Sequence, residues 1–464
     1  MAEQLIPCPL AQWARSTPED IALVEGQTEL SFAALDKLVS SIEQQLIKSG
    51  LRAGQHLATI APNSIELIAL LWACLRQQII FCPLNPKLTD SQHCCLLRKI
   101  DPHKLWARDK ISRETPRLKL EFQAPASHRG TQPMLAPESL SNMVLTSGSS
   151  GEPKAVVHRL SNHLSSAQGS AKLIPLRSGD RWLLSLPLFH VGGLAIVIRC
   201  LLAGASICLE DKGLSLTEQL YRQPISHLSL VSTQLYRLLQ DSDFNPAQSA
   251  LRCMLLGGGA FSRALLEATL KRGIQPFVSY GLSEMSSQVC TRQIARITAD
   301  VGSPLPGREI RIENQEILVR GQTLFAGYYQ DGQLKPSVDK DGWFHTKDRG
   351  ELTTDGKLQV LGRMDRQFIS GGENIQPEAI ECELLQHPQI INARVIPVEH
   401  PEWGQRPICF VQLHQVQLDE ATLRQWLRER LASFLIPERF LPWPETAGLK
   451  VTLPQLQKLA AQSL

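Results

Sequence analysis

Met143-Val144-Leu145-Thr146-Ser147-Gly148-Ser149-Ser150-Gly151-Glu152-Pro153-Lys154 is the stretch on which the reading of this chain turns. Three apolar residues of strand type run into four hydroxyl side chains (Thr146, Ser147, Ser149, Ser150), two glycines (Gly148, Gly151) and a lysine (Lys154). Glycines free to take positive φ let successive backbone N–H groups converge. With added hydroxyl donors and an ammonium, such a loop is suited to wrap phosphate oxygens. It is not a Walker A loop, because Pro153 precedes the lysine and Ala155, not Ser or Thr, follows it. A polar surface loop is the competing reading, and the surrounding sequence has to decide between them.

Upstream, Leu35, Leu38, Val39, Ile42, Leu46 and Ile47 recur at helical spacing, with Ser31 as N-cap and Gly50 as terminator. A short apolar run at 56–60 follows, then a helix capped near Asn63 or Ser64, then a run of strand formers at 79–83. Strand, helix and strand repeated in this way predict an α/β fold with a largely parallel sheet. Residues 123–142, with Pro125, Pro133 and Pro137, read as a loop delivering the chain to a new strand at 143–145.

The 464 residues allow two to four packing units. Lys plus Arg total 48 against 45 Asp plus Glu, a net charge of +3 that argues against a nucleic-acid partner. The 43% hydrophobic content supplies material for cores and excludes a disordered chain. The start of the chain has Glu3 and early prolines and lacks the basic, apolar pattern of a secretory signal. The uncharged stretch 182–198 is interrupted by Pro187, His190 and Gly192-Gly193, so membrane insertion is not expected. Eleven scattered cysteines without CxxC spacing read as reduced thiols and predict a cytoplasmic protein. From Gln367 onward acidic residues outnumber basic ones, whereas the preceding part is mildly basic. Self-association into a homo-oligomer is left open.

The 146–154 loop resembles the signature loop of the adenylate-forming superfamily, which includes the acyl-CoA synthetases, and further motifs follow in the family's order. Gly257-Gly258-Gly259-Ala260 matches its glycine-rich turn, Ser279-Tyr280-Gly281-Leu282-Ser283-Glu284 its YGxTE segment, and Trp343 to Gly350 its W-x-x-T-G-D-x-G, with Lys347 in place of the glycine. Gly362-Arg363-Met364-Asp365 resembles the segment joining the family's two domains. Any one of these is weak, since a Tyr-Gly pair or a glycine triplet is usually only a turn; their joint order carries the resemblance.

The resemblance implies ATP, Mg²⁺ and CoA as reactants and cofactor. ATP or AMP would meet Thr146, Ser147, Gly148, Ser149, Ser150, Gly151, Lys154, Gly258 (whose turn would also line the acyl pocket and touch the substrate), Tyr280 (on adenine), Ser283, Asp348 and Arg363 (on ribose). Glu284 would hold Mg²⁺, with Thr146 as a further candidate ligand. It also implies a large α/β N-terminal adenylate-forming domain with several sheets (1–363), a hinge at 364–365 pivoting on Asp365, and a small α+β C-terminal domain (366–464) that rotates. Rotation would exchange a catalytic lysine for the loop bearing Gly371 and Gly372, opening a tunnel for the CoA thiol. A plain strand turn is the other reading of that glycine pair. The family's T-x-x-G-K is Thr446-Ala447-Gly448-Leu449-Lys450 here, with the glycine displaced; Lys450 is the candidate, and Lys458 reads as a face residue of a terminal helix.

Residues 183–191, 300–309 and 370–378 go further and resemble the bacterial o-succinylbenzoate–CoA ligase family of menaquinone biosynthesis. That substrate is an aromatic dicarboxylate, so one carboxylate is activated and the other needs a polar partner. If the chain is helical from Gly192, then Gly192, Ala195, Ile196 and Arg199 share one face, making Arg199 the candidate. A buried charge needs a partner, so an internal Asp or Glu is the competing reading. His190 closes the preceding strand in this reading and is either a catalytic gate between nucleotide and acyl pockets, touching the substrate, or a core histidine. Rival functions are a CoA ligase for another aromatic acid and a stand-alone adenylation enzyme loading a separate carrier.

Overall fold

The computed structural model describes residues 4–108, 115–122, 132–147, 153–259, 261–370, 373–400, 402–414, 419–444, 451 and 453–463. The expected helices form where their caps stand. Ser31 accepts a hydrogen bond from the backbone N–H of Ala34 and starts the helix Phe32–Lys48; Ser64, rather than Asn63, accepts from Leu67 and starts Ile65–Arg76. Between them the strand His56–Ile60 pairs in parallel with Ile80–Leu84, one residue later than the apolar run suggests.

Two large sheets dominate. One has seven strands, of which His56–Ile60, Ile80–Leu84, Lys104–Ala107 and Leu140–Ser147 run parallel to their neighbours among themselves. Its other half is antiparallel and is entered through Pro153–Arg159, which pairs with Leu140–Ser147. The second sheet has eight strands, with parallel pairs from Ile21–Glu25 through Phe277–Leu282 and antiparallel edges at Thr28–Ser31 and Ser287–Gln293. The expectation of a largely parallel sheet therefore holds for the centres and fails at the margins. The strand predicted at 143–145 spans Leu140–Ser147 because its antiparallel partner extends the ladder on both sides.

One hydrophobic core joins the sheets, with Leu57, Phe81 and Val144 from the first and Trp182, Leu184 and Ile207 from the second. The helix Ile65–Arg76 is buried at every position except Glu66, as a helix packed among other elements must be. Its Arg76 is neutralised by Asp36 and Glu43 on the helix Phe32–Lys48.

A four-stranded antiparallel sheet (Arg308–Glu313, Glu316–Gly321, Phe344–Leu352, Leu358–Arg363) leads to a short turn, Met364–Arg366. After it come an antiparallel pair (Phe368–Ser370, Glu373–Ile375), the long hairpin Ile390–His400 with Gly404–Leu413, and helices Pro377–Leu385, Glu420–Arg428 and Leu453–Ser463. This α+β part has apolar clusters of its own, made from Phe368 onward. Polar contacts cross to it: Arg349 donates to the Gln376 Oε1 (3.0 Å), and Gln376 Nε2 donates to the Arg363 carbonyl (2.9 Å). Among the described residues no helix is long and apolar enough to cross a membrane, and all eleven cysteines are free thiols.

Candidate active site

The hydroxyl-rich loop sits at the tip of a hairpin. Thr146 lies opposite Lys154 and Ser147 opposite Pro153, so the polar segment begins while both strands are still paired, and the Thr146 hydroxyl donates to the Lys154 carbonyl at 3.5 Å. Gly148, Ser149, Ser150 and Gly151 lie outside the described residues, as does the Ser147 side chain. The Lys154 Nζ stands 5.0 Å from the centre of the Tyr328 ring, a cation–π distance. The Tyr328 hydroxyl donates to Glu284 Oε1 at 2.7 Å. Burial and that carboxylate push the Tyr328 phenol well above its ordinary range, so it stays a donor. Tyr328 reaches this position because its strand, Gly327–Gln330, pairs with Pro153–Arg159.

Glu284 is carried by the short turn Ser283–Met285 after the strand Phe277–Leu282. The turn is pinned through its backbone. The Ser283 carbonyl accepts from His158 Nε2 (2.7 Å), and the Glu284 carbonyl accepts from the Phe325 N–H (2.8 Å). Behind His158, its Nδ1 faces the Asn142 amide nitrogen at 3.1 Å, and the Asn142 Oδ1 meets His163 Nε2 at 2.6 Å. That chain is consistent only with His158 neutral and protonated on Nε2. Burial pulls the His158 imidazole down to about 4.

The residues expected from sequence at the ribose contact one another directly. The Tyr280 hydroxyl donates to Asp348 Oδ2 (2.6 Å), Arg363 Nη1 donates to Asp348 Oδ1 (3.0 Å), and Arg363 Nε and Nη2 reach both oxygens of Asp365 (3.0 and 2.6 Å). Burial raises the Asp348 carboxyl while the Tyr280 and Arg363 bonds pull the other way; its neighbours hold Arg363 firmly charged despite its own burial. Lys347, which replaces the motif glycine, has φ +60, so the backbone keeps the left-handed geometry for which glycine is usually selected. Gly258 also has positive φ (+82), and a Cβ on Gly257 would come within 3.2 Å of the Ser279 hydroxyl, so the glycine turn lies against the strand bearing Tyr280.

Arg199 lies on the helix Val191–Ala203 and is only 6% exposed. Its Nη2 donates to Gln288 Oε1 at 2.8 Å and to Ser287 Oγ at 3.4 Å, its guanidinium stands 5.6 Å from the Trp182 ring centre, and its buried Nε has no partner. Among the described residues no carboxylate forms an ion pair with it, and the partners there are an amide and a hydroxyl in place of the internal Asp or Glu of the competing reading. Burial pulls it down to about 10. His190 is placed differently from expectation: the preceding strand ends at Leu184, and His190 is an exposed residue at the head of the arginine's helix, its ring 4.7 Å from Phe189. The close packing of Gly193 against the Pro187 carbonyl explains the intervening turn, because no Cβ would fit there.

Gly371, Gly372 and Lys450 lie outside the described residues; Lys458 is exposed on the terminal helix, as its pattern suggests. No group of three His, Cys, Asp or Glu among the described residues could cage a metal. A lone carboxylate at Glu284 suits Mg²⁺, which is usually held by one or two carboxylates and completes its shell with phosphate and water. Tyr328, His158 and Gln288 escape sequence reasoning. They belong to no phosphate-loop or carboxylate pattern, and the only local signal is the Gly327-Tyr328-Tyr329 aromatic pair.

Comparison with known proteins gives one consistent result. The family model described as AMP-binding enzyme matches residues 10–329, and that described as AMP-binding enzyme C-terminal domain matches 379–447. The chain is 38% identical to the 2-succinylbenzoate–CoA ligase of Salmonella typhimurium, covering 98% of each chain, and 36% identical to that of Escherichia coli, covering 97% of each. Among solved structures it resembles an arginine-to-lysine variant of Escherichia coli MenE with bound OSB-AMS (TM-score 0.87, 35% identity, 98% of each chain). It likewise resembles the Bacillus subtilis o-succinylbenzoate–CoA synthetase in complex with the acyl-adenylate intermediate OSB-AMP (TM-score 0.86, 29% identity, 98% of each chain).

Proposed function

Because the chain belongs to the AMP-binding enzyme family and, within it, to the 2-succinylbenzoate–CoA ligases, we infer that it converts 2-succinylbenzoate to its CoA thioester through an acyl adenylate, an ATP-dependent step of menaquinone biosynthesis. The observation that carries the substrate reading is Arg199: a buried guanidinium whose hydrogen bonds go to neutral oxygens, with one donor unpartnered. A substrate with a second carboxylate completes that arrangement, and a monocarboxylate does not.

The chemistry starts from two anions that repel. A carboxylate oxygen of the substrate attacks the α-phosphorus of ATP, the new P–O bond forms as the bond to pyrophosphate breaks, and oxide is replaced by AMP as the prospective leaving group. Lys154, the loop hydroxyls and Lys450 offset the charge that gathers on the phosphates. Glu284, held in place by Tyr328 and by the His158-pinned turn, would hold Mg²⁺, whose charge further screens the triphosphate when bound. Asp348 and Arg363 would take the ribose, Tyr280 and the Gly258 turn the adenine, and Ser283 borders them. The thiolate of CoA then attacks the adenylate carbonyl, and AMP leaves with the bonding electrons of the C–O bond.

We assign the adenylating unit to 1–363, the hinge to 364–365 and the mobile unit to 366–464. Support comes from the separate apolar clusters beyond Phe368 and from the ion pair of Arg363 with Asp365 at the turn. On this reading rotation withdraws Lys450 and brings in the segment of Gly371 and Gly372. His190, at the head of the helix bearing Arg199, would border the acyl pocket. The free thiols fit a cytoplasmic location.

The test incubates the purified protein with ATP, Mg²⁺, CoA and a panel of aromatic acids and follows AMP and thioester by mass spectrometry. Turnover of 2-succinylbenzoate well above benzoate is expected. Turnover of benzoate alone would reassign the substrate, and adenylate without thioester would point to a carrier-loading enzyme.

A further inference from the structure

Two arginines of this chain whose side chains are only 1% and 8% exposed, Arg76 and Arg366, satisfy the usual rule that a buried charge is paired. Arg76 takes Asp36 and Glu43, and Arg366 takes Glu378 and Glu381 at 2.6 and 2.7 Å. Arg308, beside Arg199, takes no acid among the described residues but spends all three of its guanidinium nitrogens on the Gln288, Pro306 and Ser166 oxygens. Arg199 differs from all of them: it has a neutral anchor and an idle donor.

The anchor is Gln288, only 2% exposed. Its orientation is set from outside. Its Nε2 donates to Thr291 Oγ1 at 2.8 Å, which turns Oε1 toward two donors, the Ser170 hydroxyl and Arg199 Nη2, each at 2.8 Å. A flipped amide would set its NH₂ against the guanidinium, so the acceptor is locked. A glutamate has the same shape and would accept the same two bonds, while Thr291 could rotate its hydroxyl to donate. Packing therefore does not demand the amide at this position. What the amide does that a carboxylate cannot is to hold Arg199 without cancelling its charge.

We propose that Gln288 is a specificity-determining residue, a neutral clamp that orients Arg199 and reserves its positive charge for the second carboxylate of the substrate. This rests on the assignment of Arg199 to that carboxylate. With Gln288→Glu the incoming carboxylate meets an already neutralised guanidinium and a like charge beside it, and discrimination in favour of the dicarboxylate is lost.

The experiment measures KM and kcat for 2-succinylbenzoate and for two monocarboxylate analogues, 4-oxo-4-phenylbutanoate and 2-butanoylbenzoate, in the wild type, Arg199→Gln, Gln288→Glu and Gln288→Met, with KM for ATP and the melting temperature of each. Gln288→Glu is expected to raise the dicarboxylate KM by at least about tenfold, to leave the better-used monocarboxylate within about threefold, and to keep KM for ATP and the melting temperature close to wild type. An unchanged preference for the dicarboxylate, or a parallel loss for both acid types, overturns the proposal. If Gln288→Glu fails to fold, Gln288→Met decides: it removes the acceptor without adding charge, a severalfold rise in dicarboxylate KM alone supports the clamp, and an unmoved KM rejects it. A wild type without dicarboxylate preference, or a preference that survives Arg199→Gln, would instead remove the underlying reading of Arg199.

Discussion

Replacing Arg199 by methionine separates an arginine kept for a ligand from one kept for the fold. Burial lowers its pKa from the ordinary guanidinium range to about 10, which corresponds to about 3 kcal/mol against holding the charge in that place. Its one strong internal bond, to Gln288, offsets part of this, and methionine fills a similar volume with apolar atoms at no desolvation cost. The unliganded Arg199→Met protein is therefore expected to be as stable as wild type or slightly more so. Arg76 supplies the control. It is equally buried, but its removal takes a guanidinium away from the carboxylates of Asp36 and of Glu43, which is 0% exposed, a loss of about 3–5 kcal/mol. Thermal melts of the two variants, with and without 2-succinylbenzoate, make the comparison. Arg76→Met should melt several degrees below wild type. Arg199→Met should melt within about 2 °C of it, yet lose the rise in melting temperature that the dicarboxylate gives wild type. A fall in Arg199→Met as deep as that of Arg76→Met would show that the arginine is a structural ion and refute the reasoning.

Three further outcomes are expected. Lys450→Ala should abolish adenylate formation, followed as pyrophosphate release, but still pass a supplied acyl adenylate to CoA; equal loss of both half reactions would mean that another lysine acts. Lys347→Gly should raise stability by about 0.5–1 kcal/mol, because the left-handed backbone costs a side-chain-bearing residue roughly 1–2 kcal/mol and glycine's extra chain entropy returns only part of it; a lower melting temperature would contradict this. His158 is neutral in the fold and depressed to about 4, so its contribution is complete above pH 6.5 and is lost as pH falls toward 4, by about 3 kcal/mol at most. Denaturant midpoints between pH 7 and 4 should fall steeply for wild type and more gently for His158→Gln, and parallel slopes would rule this out.

Local chemistry settled much of this protein in advance. Ser31 and Ser64 start helices because a cap acts on N–H groups two or three residues away, and the ordered motifs around Thr146, Tyr280, Glu284, Asp348 and Arg363 are legible because each is a short run with its own turn geometry. Even the Lys347 substitution preserved the backbone its motif requires. What the one-dimensional pattern cannot contain is a meeting of distant strands. Tyr328 joins Lys154 to Glu284 only because Gly327–Gln330 pairs beside the hairpin, and His158 supports the Glu284 turn only across two sheets. Arg199 is the sharpest case. From sequence, an internal acid and a substrate carboxylate are both open partners, since any Asp or Glu in the chain could fold against it. Among the described residues the packed structure shows an amide there instead, because which neighbour meets a side chain is a property of the tertiary arrangement and of no segment within it.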